Sequence, residues 1–133
     1  MVLTAFGLSA ALLTSCSREV PSARAGRALY DANGCANCHG QSGQGDGPLV
    51  PTLPAKPIDF RDASLFKRGA TESAIAKTLA DGVSIVHTAP ELHAAHHQLL
   101  MPKFDHLTET ERRSIALYVI SMRTDANHRR VQP

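Results

Sequence analysis

The stretch Gly34-Cys35-Ala36-Asn37-Cys38-His39-Gly40 decides how this chain is read. Two cysteines stand three positions apart, and a histidine follows the second at once. Thiols so spaced can each add to a vinyl group on one edge of a porphyrin, which is the C-x-x-C-H haem attachment signature. The next residue then lies under the ring, where its imidazole reaches the iron. A zinc site would need two further ligands, and the pair His93 and His97 comes more than fifty residues downstream. A redox dithiol would need a βαβ setting, and no such pattern surrounds these cysteines.

Outward from the motif, the periodicity is helical. Ser22, Ala25, Ala28, Leu29 and Ala32 recur at helix spacing before it, and Gly34 is a stop signal. After it, Gly40 to Pro57 carries Pro48, Pro51, Pro54 and Pro57, which no helix or central strand accommodates. This part reads as an extended loop packed on something rigid. Thr71 opens a second helix with Ala74, Ile75 and Leu79, closed by Asp81-Gly82. Pro90 suits the first turn of a third, running to about Leu99. Thr108 and Glu111 form a capping box for the last helix, whose apolar stripe is Ile115, Tyr118, Val119 and Met122. With no useful strand alternation and no repeat, the expected class is all-α.

The chain has 133 residues, one domain's worth, with 5% aromatic residues and no Trp. Few large side chains are available to fill the middle, as suits a domain built round a large apolar cofactor. Its net charge of +2 gives no footprint for a polyanion, so nucleic acid is not indicated.

From about Ala23 to Arg123 the sequence resembles the class I cytochrome c family. The resemblance rests on Gly26-x-x-Leu29-Tyr30, on Cys35-Ala36-Asn37-Cys38-His39-Gly40 and on Gly45-Asp46-Gly47-Pro48. It continues through Met101-Pro102-Lys103-Phe104 and the helix Leu107 to Met122. It implies a bundle of about four helices around one covalently bound haem c, attached at Cys35 and Cys38. His39 and Met101 are then the implied axial iron ligands, and the Pro48 carbonyl is the implied acceptor for the His39 ring. Gly26 and Tyr118 take the positions where first and last helices cross. The implied function is single-electron transfer between redox partner proteins of a membrane-linked chain, with no enzymatic reaction of its own. The alternatives are a haem sensor or enzyme with an open sixth site, and a haem c subunit of an oxidase or reductase complex.

Met101 precedes a proline, which pushes its backbone towards extended forms and onto a loop. His87, His93, His96, His97 and His106 all lie within twenty residues of it and stand as alternative sixth ligands, as does a vacant site. His93 and His97 are also spaced for a second metal. Arg61, Arg68 and Lys103 are candidates to meet the haem propionates.

Residues 1–15 read as a signal peptide: Val2 to Leu13 is apolar or small, too short to span a bilayer. Leu13-Thr14-Ser15-Cys16 resembles the lipobox of bacterial lipoproteins, which implies cleavage before Cys16, its lipidation, and a periplasmic, membrane-anchored protein. Ordinary secretion and an uncleaved membrane segment are the alternatives. The expected organisation is a tether over 16–21, the cytochrome c domain over 22–123 and a flexible tail over 124–133.

Overall fold

The computed structural model describes residues 19–87 and 96–131, with side chains outside 85–87, 96–99 and 124–131. The expected signal peptide, Cys16 and the stretch 88–95, with Pro90 and His93, lie outside the described residues. Helix α1 spans Ala23–Ala32, and the Ser22 hydroxyl caps it by accepting from the Ala25 amide. A single turn, α2, covers Ala36–His39. Helix α3 spans Glu72–Asp81, capped by the Thr71 hydroxyl and stopped by Gly82 at φ 69°. Helix α4 spans Glu109–Val131. The all-α expectation therefore holds, with little sheet.

The last helix starts as its capping box directs. The Thr108 amide donates to the Glu111 carboxylate at 2.7 Å, and the Glu111 amide donates to the Thr108 hydroxyl at 3.2 Å. It runs further than expected, because the segment from Thr124 continues as helix to Val131. Neither Gly nor Pro interrupts the sequence before Pro133.

α4 packs across both α1 and α3. The core between them is Tyr30, Ile75, Ala76, Leu79, Ile115, Ala116, Val119 and Met122, joined by Phe60 and Leu107 from loops. A Cβ on Gly26 would overlap the Ser114 carbonyl and stand 2.9 Å from the Ile115 amide nitrogen. The helices therefore cross backbone to backbone at Gly26, one turn before Tyr118. Tyr118 itself meets Tyr30 edge to face, with ring centroids 5.4 Å apart.

One element departs from the helical expectation. β1, Val83–His87, pairs antiparallel with β2, His96–Met101, in a two-stranded sheet. His96 to Leu99, expected at the end of a third helix, are strand instead. Val83, Ile85 and Val86 are β-branched and favour extended backbone, and pairing with β2 satisfies backbone groups that a solitary strand would leave open. His97, expected on a helix, lies in β2, while His93 is outside the described residues.

Candidate haem-binding site

The attachment motif occupies one helical turn. The His39 amide donates to the Cys35 carbonyl at 2.9 Å, and the Gly40 amide to the Ala36 carbonyl at 2.9 Å. Residues at i, i+3 and i+4 share a helix face, so Cys35, Cys38 and His39 lie on one side of the turn. Gly40 then leaves the helix at φ 77°, a conformation that other residues adopt only with strain.

The glycine-rich loop fixes this turn from outside. The Gly45 amide donates to the His39 carbonyl at 2.9 Å, Gly47 to Cys38 at 3.2 Å, and Leu49 to Asn37 at 2.9 Å. These are the carbonyls that a short helix leaves unpaired at its end. Gly47 approaches so closely that a Cβ there would overlap the Asn37 and Ala36 carbonyls. The glycines thus serve close backbone approach, and the chain that follows is tightly turned rather than extended as expected, with Pro51 inside a single 3-10 turn over Val50–Thr52.

Cys35 and Cys38 are free and half-buried. Burial pushes the Cys35 thiol up to about 11, with the neighbouring Cys38 adding to the effect. The thiol of Cys35 is therefore neutral at pH 7. Among the described residues, no three His, Cys, Asp or Glu side chains gather into a metal-ion site.

Burial pushes the His39 imidazole down to about 4, so it is neutral at pH 7. The residue keeps some exposed surface, but its Nδ1 is buried and has no hydrogen-bond partner among the described residues. The bond expected from this ring to the Pro48 carbonyl is not made, and Pro48 itself lies exposed. Instead the His39 ring stacks on Phe60, with centroids 4.4 Å apart and 25° between the planes. No sequence pattern pointed to Phe60, which lies in an irregular segment between the prolines and α3.

Met101 arrives from the hairpin. It pairs with Val83, and the register slips between Val83 and Ser84, leaving Leu100 as the extra residue of a bulge. Bulges re-aim neighbouring side chains, and Met101 next to this one is half-buried against the core. The chain is then tied back to α3 by the Phe104 amide, which donates to the Leu79 carbonyl at 2.8 Å. The long stretch between Gly82 and Met101 is thus an excursion that returns to its starting point. Cys35 and Met101 both pack against the cluster that contains Phe60, the stacking partner of His39.

The alternative ligands are placed differently. His106 is exposed and hydrogen-bonded to the Asn33 side chain at 3.0 Å. His87, His96 and His97 lie on the hairpin strands. Of the candidate propionate partners, Arg61 is bound to Asp59 and Arg68 to Asp81.

These residues fit a covalently held haem. The two thiols on one face of the turn are uncommitted, and the adjacent imidazole is neutral. Apolar Leu49 and Leu65 remain exposed, at 45% and 42%. The model that describes the family Cytochrome c matches residues 23–123. The chain belongs to the cytochrome c family. It is a haem-binding electron-transfer protein and carries covalently attached haem c. No curated protein matches the chain. Among solved structures, this cytochrome is similar to a chain of the Kuenenia stuttgartiensis reducing HAO-like protein complex Kustc0457/Kustc0458. The TM-score is 0.60 and the identity 27%, covering 75% of the cytochrome and 43% of that chain. The cytochrome therefore spans less than half of that protein's length.

Proposed function

We propose that this cytochrome is an exported monohaem carrier, with haem bonded to Cys35 and Cys38 and iron held by His39 and Met101. The observation that carries the reading is the helical turn that puts both thiols and a neutral imidazole on one face. Bound there, haem supplies an iron that gains and loses one electron. The chain supplies the rest. His39 presents an uncharged nitrogen donor, and Met101 a soft thioether that, paired with His, favours a raised potential. Were His39 and Met101 both to hold the iron, no place would be left for substrate, and the protein would be a carrier rather than an enzyme. The core and the backbone bonds around the motif hold these groups in place, so little rearrangement accompanies a change of charge.

A second reading, that the cytochrome works as a subunit docked to a larger redox complex, is favoured by its likeness to a chain of the reducing HAO-like complex. It shares the chemistry and differs in the permanence of contact. Under both, partners are redox proteins, and lipidation at Cys16 would keep the cytochrome at a membrane. Among the described residues no helix is long and apolar enough to cross a membrane. Mass spectrometry of the denatured, matured chain tests the attachment. One haem should remain on the wild type, and none on a chain with both Cys35→Ala and Cys38→Ala. Haem retained by the double variant would contradict the assignment.

A further inference from the structure

Metal-bound histidines usually hold their ring orientation through a hydrogen bond from the second ring nitrogen. In His39 that nitrogen, Nδ1, is buried without a partner among the described residues, the Pro48 carbonyl included. The ring needs another orienting contact, and the Phe60 ring is stacked on it at 4.4 Å.

We propose that Phe60 is the positioning residue for His39: its ring face, in place of a hydrogen bond, fixes the plane of the axial imidazole and biases the iron towards the oxidised state. This rests on the reading of His39 as an axial ligand.

Phe60 is itself held from several sides. Its amide donates to the Gly43 carbonyl at 2.7 Å, and only 7% of the residue is exposed. Gly43 has φ 72°, and a Cβ there would come within 2.6 Å of the Met122 sulfur and 2.8 Å of Phe60 Cδ2. The missing side chain at Gly43 is therefore what lets Phe60 seat between the loop and α4. Beyond Phe60, the Phe66 ring lies 5.8 Å away, and the Arg123 guanidinium covers Phe66 at 5.3 Å. Arg123 is anchored in turn by its bond to the Ala70 carbonyl at 2.8 Å. A column thus runs from α4 through two aromatic rings to the imidazole.

Rotating His39 about its side-chain bonds would break a face-to-face contact and push its ring into packed neighbours. Such stacking restrains the plane even where no hydrogen bond does. The electrostatic consequence follows from the electron-rich face of a phenyl ring. An imidazole on ferric iron is more electron-poor than one on ferrous iron, so the Phe60 face favours the oxidised form. Its removal should raise the potential.

The test uses the matured holoprotein with Phe60→Leu and Phe60→Tyr. The readouts are proton NMR of the ferric haem methyl groups, which reports the ligand plane, and reduction potential. Phe60→Leu should redistribute the methyl shifts and raise the potential, while Phe60→Tyr, which restores the ring, should stay near wild type on both. If Phe60→Leu leaves both unchanged, Phe60 is a packing residue and the proposal is overturned, whatever happens to thermal stability. Should Phe60→Leu not mature, Phe66→Leu carries the test, with smaller changes in the same directions expected and unchanged values overturning it. A His39→Ala protein that keeps the wild-type low-spin spectrum would overturn the ligand reading and this proposal together.

Discussion

The Tyr30 hydroxyl donates a 2.8 Å hydrogen bond to the carbonyl of Gly40, joining the end of α1 to the residue that closes the attachment motif. Tyr30 is 1% exposed, and burial raises its pKa, so the hydroxyl stays a donor at all ordinary pH values. Tyr30→Phe keeps the ring on Tyr118 but leaves a buried carbonyl without this donor. The expected loss is about 1–3 kcal/mol of stability, measured by denaturant unfolding, with covalent haem retained because the cysteines are untouched.

Gly26→Ala inverts the ordinary helix rule. In an exposed helix interior Ala is favoured over Gly by about 1 kcal/mol. Here the new methyl would overlap the Ser114 carbonyl, and α1 and α4 would have to part. Overpacking of this kind costs about 1–3 kcal/mol, so the melting temperature should fall. A rise would show that the two helices do not cross at this point.

The start of α4 has a pH signature. Bonds from the Thr108 amide, and then from its hydroxyl, hold the Glu111 carboxyl below the usual carboxylate range. A lowered folded-state value contributes stability above the unfolded-state value, and this is lost as pH falls through the folded one. Acid should therefore destabilise the wild type more than Glu111→Gln, as unfolding midpoints compared between neutral and acidic pH would show. Thr108→Ala removes the cap itself and should cost about 1 kcal/mol at neutral pH.

Much of this fold is legible in the sequence, because most of it is set locally. Ser22, Thr71 and Thr108 cap the helices that follow them, and Gly82 stops α3 where its left-handed backbone is required. The motif's own spacing determines what shares a face. What is not legible depends on contacts between distant segments. The pairing of Val83 with Met101 spans a stretch whose Pro90, Leu92 and Leu99 also fit a helix, and a strand's own periodicity does not identify its partner. Gly26 meets backbone atoms of Ser114, which no side-chain identity announces. The stack of Phe60 on His39 joins residues twenty-one positions apart through a loop without periodicity.

The lipid anchor is tested on the living export route. In a bacterium that processes lipoproteins, the wild type should fractionate with membranes, and Cys16→Ser should be released or fail to mature. An unmodified Cys16 in the mature chain, seen by mass spectrometry, would contradict the anchor.

The central claim is that His39 and Met101 both ligate the iron, making this cytochrome a carrier. The visible spectrum of the reduced protein, with and without carbon monoxide, for wild type and Met101→Ala, tests it most directly. A thioether bond to iron excludes carbon monoxide under mild conditions, so the wild-type spectrum should be low-spin and unchanged by the gas. Met101→Ala should bind carbon monoxide and lose potential, because the soft ligand is gone. A wild type that binds carbon monoxide readily, or a Met101→Ala variant with an unchanged spectrum, would contradict the account.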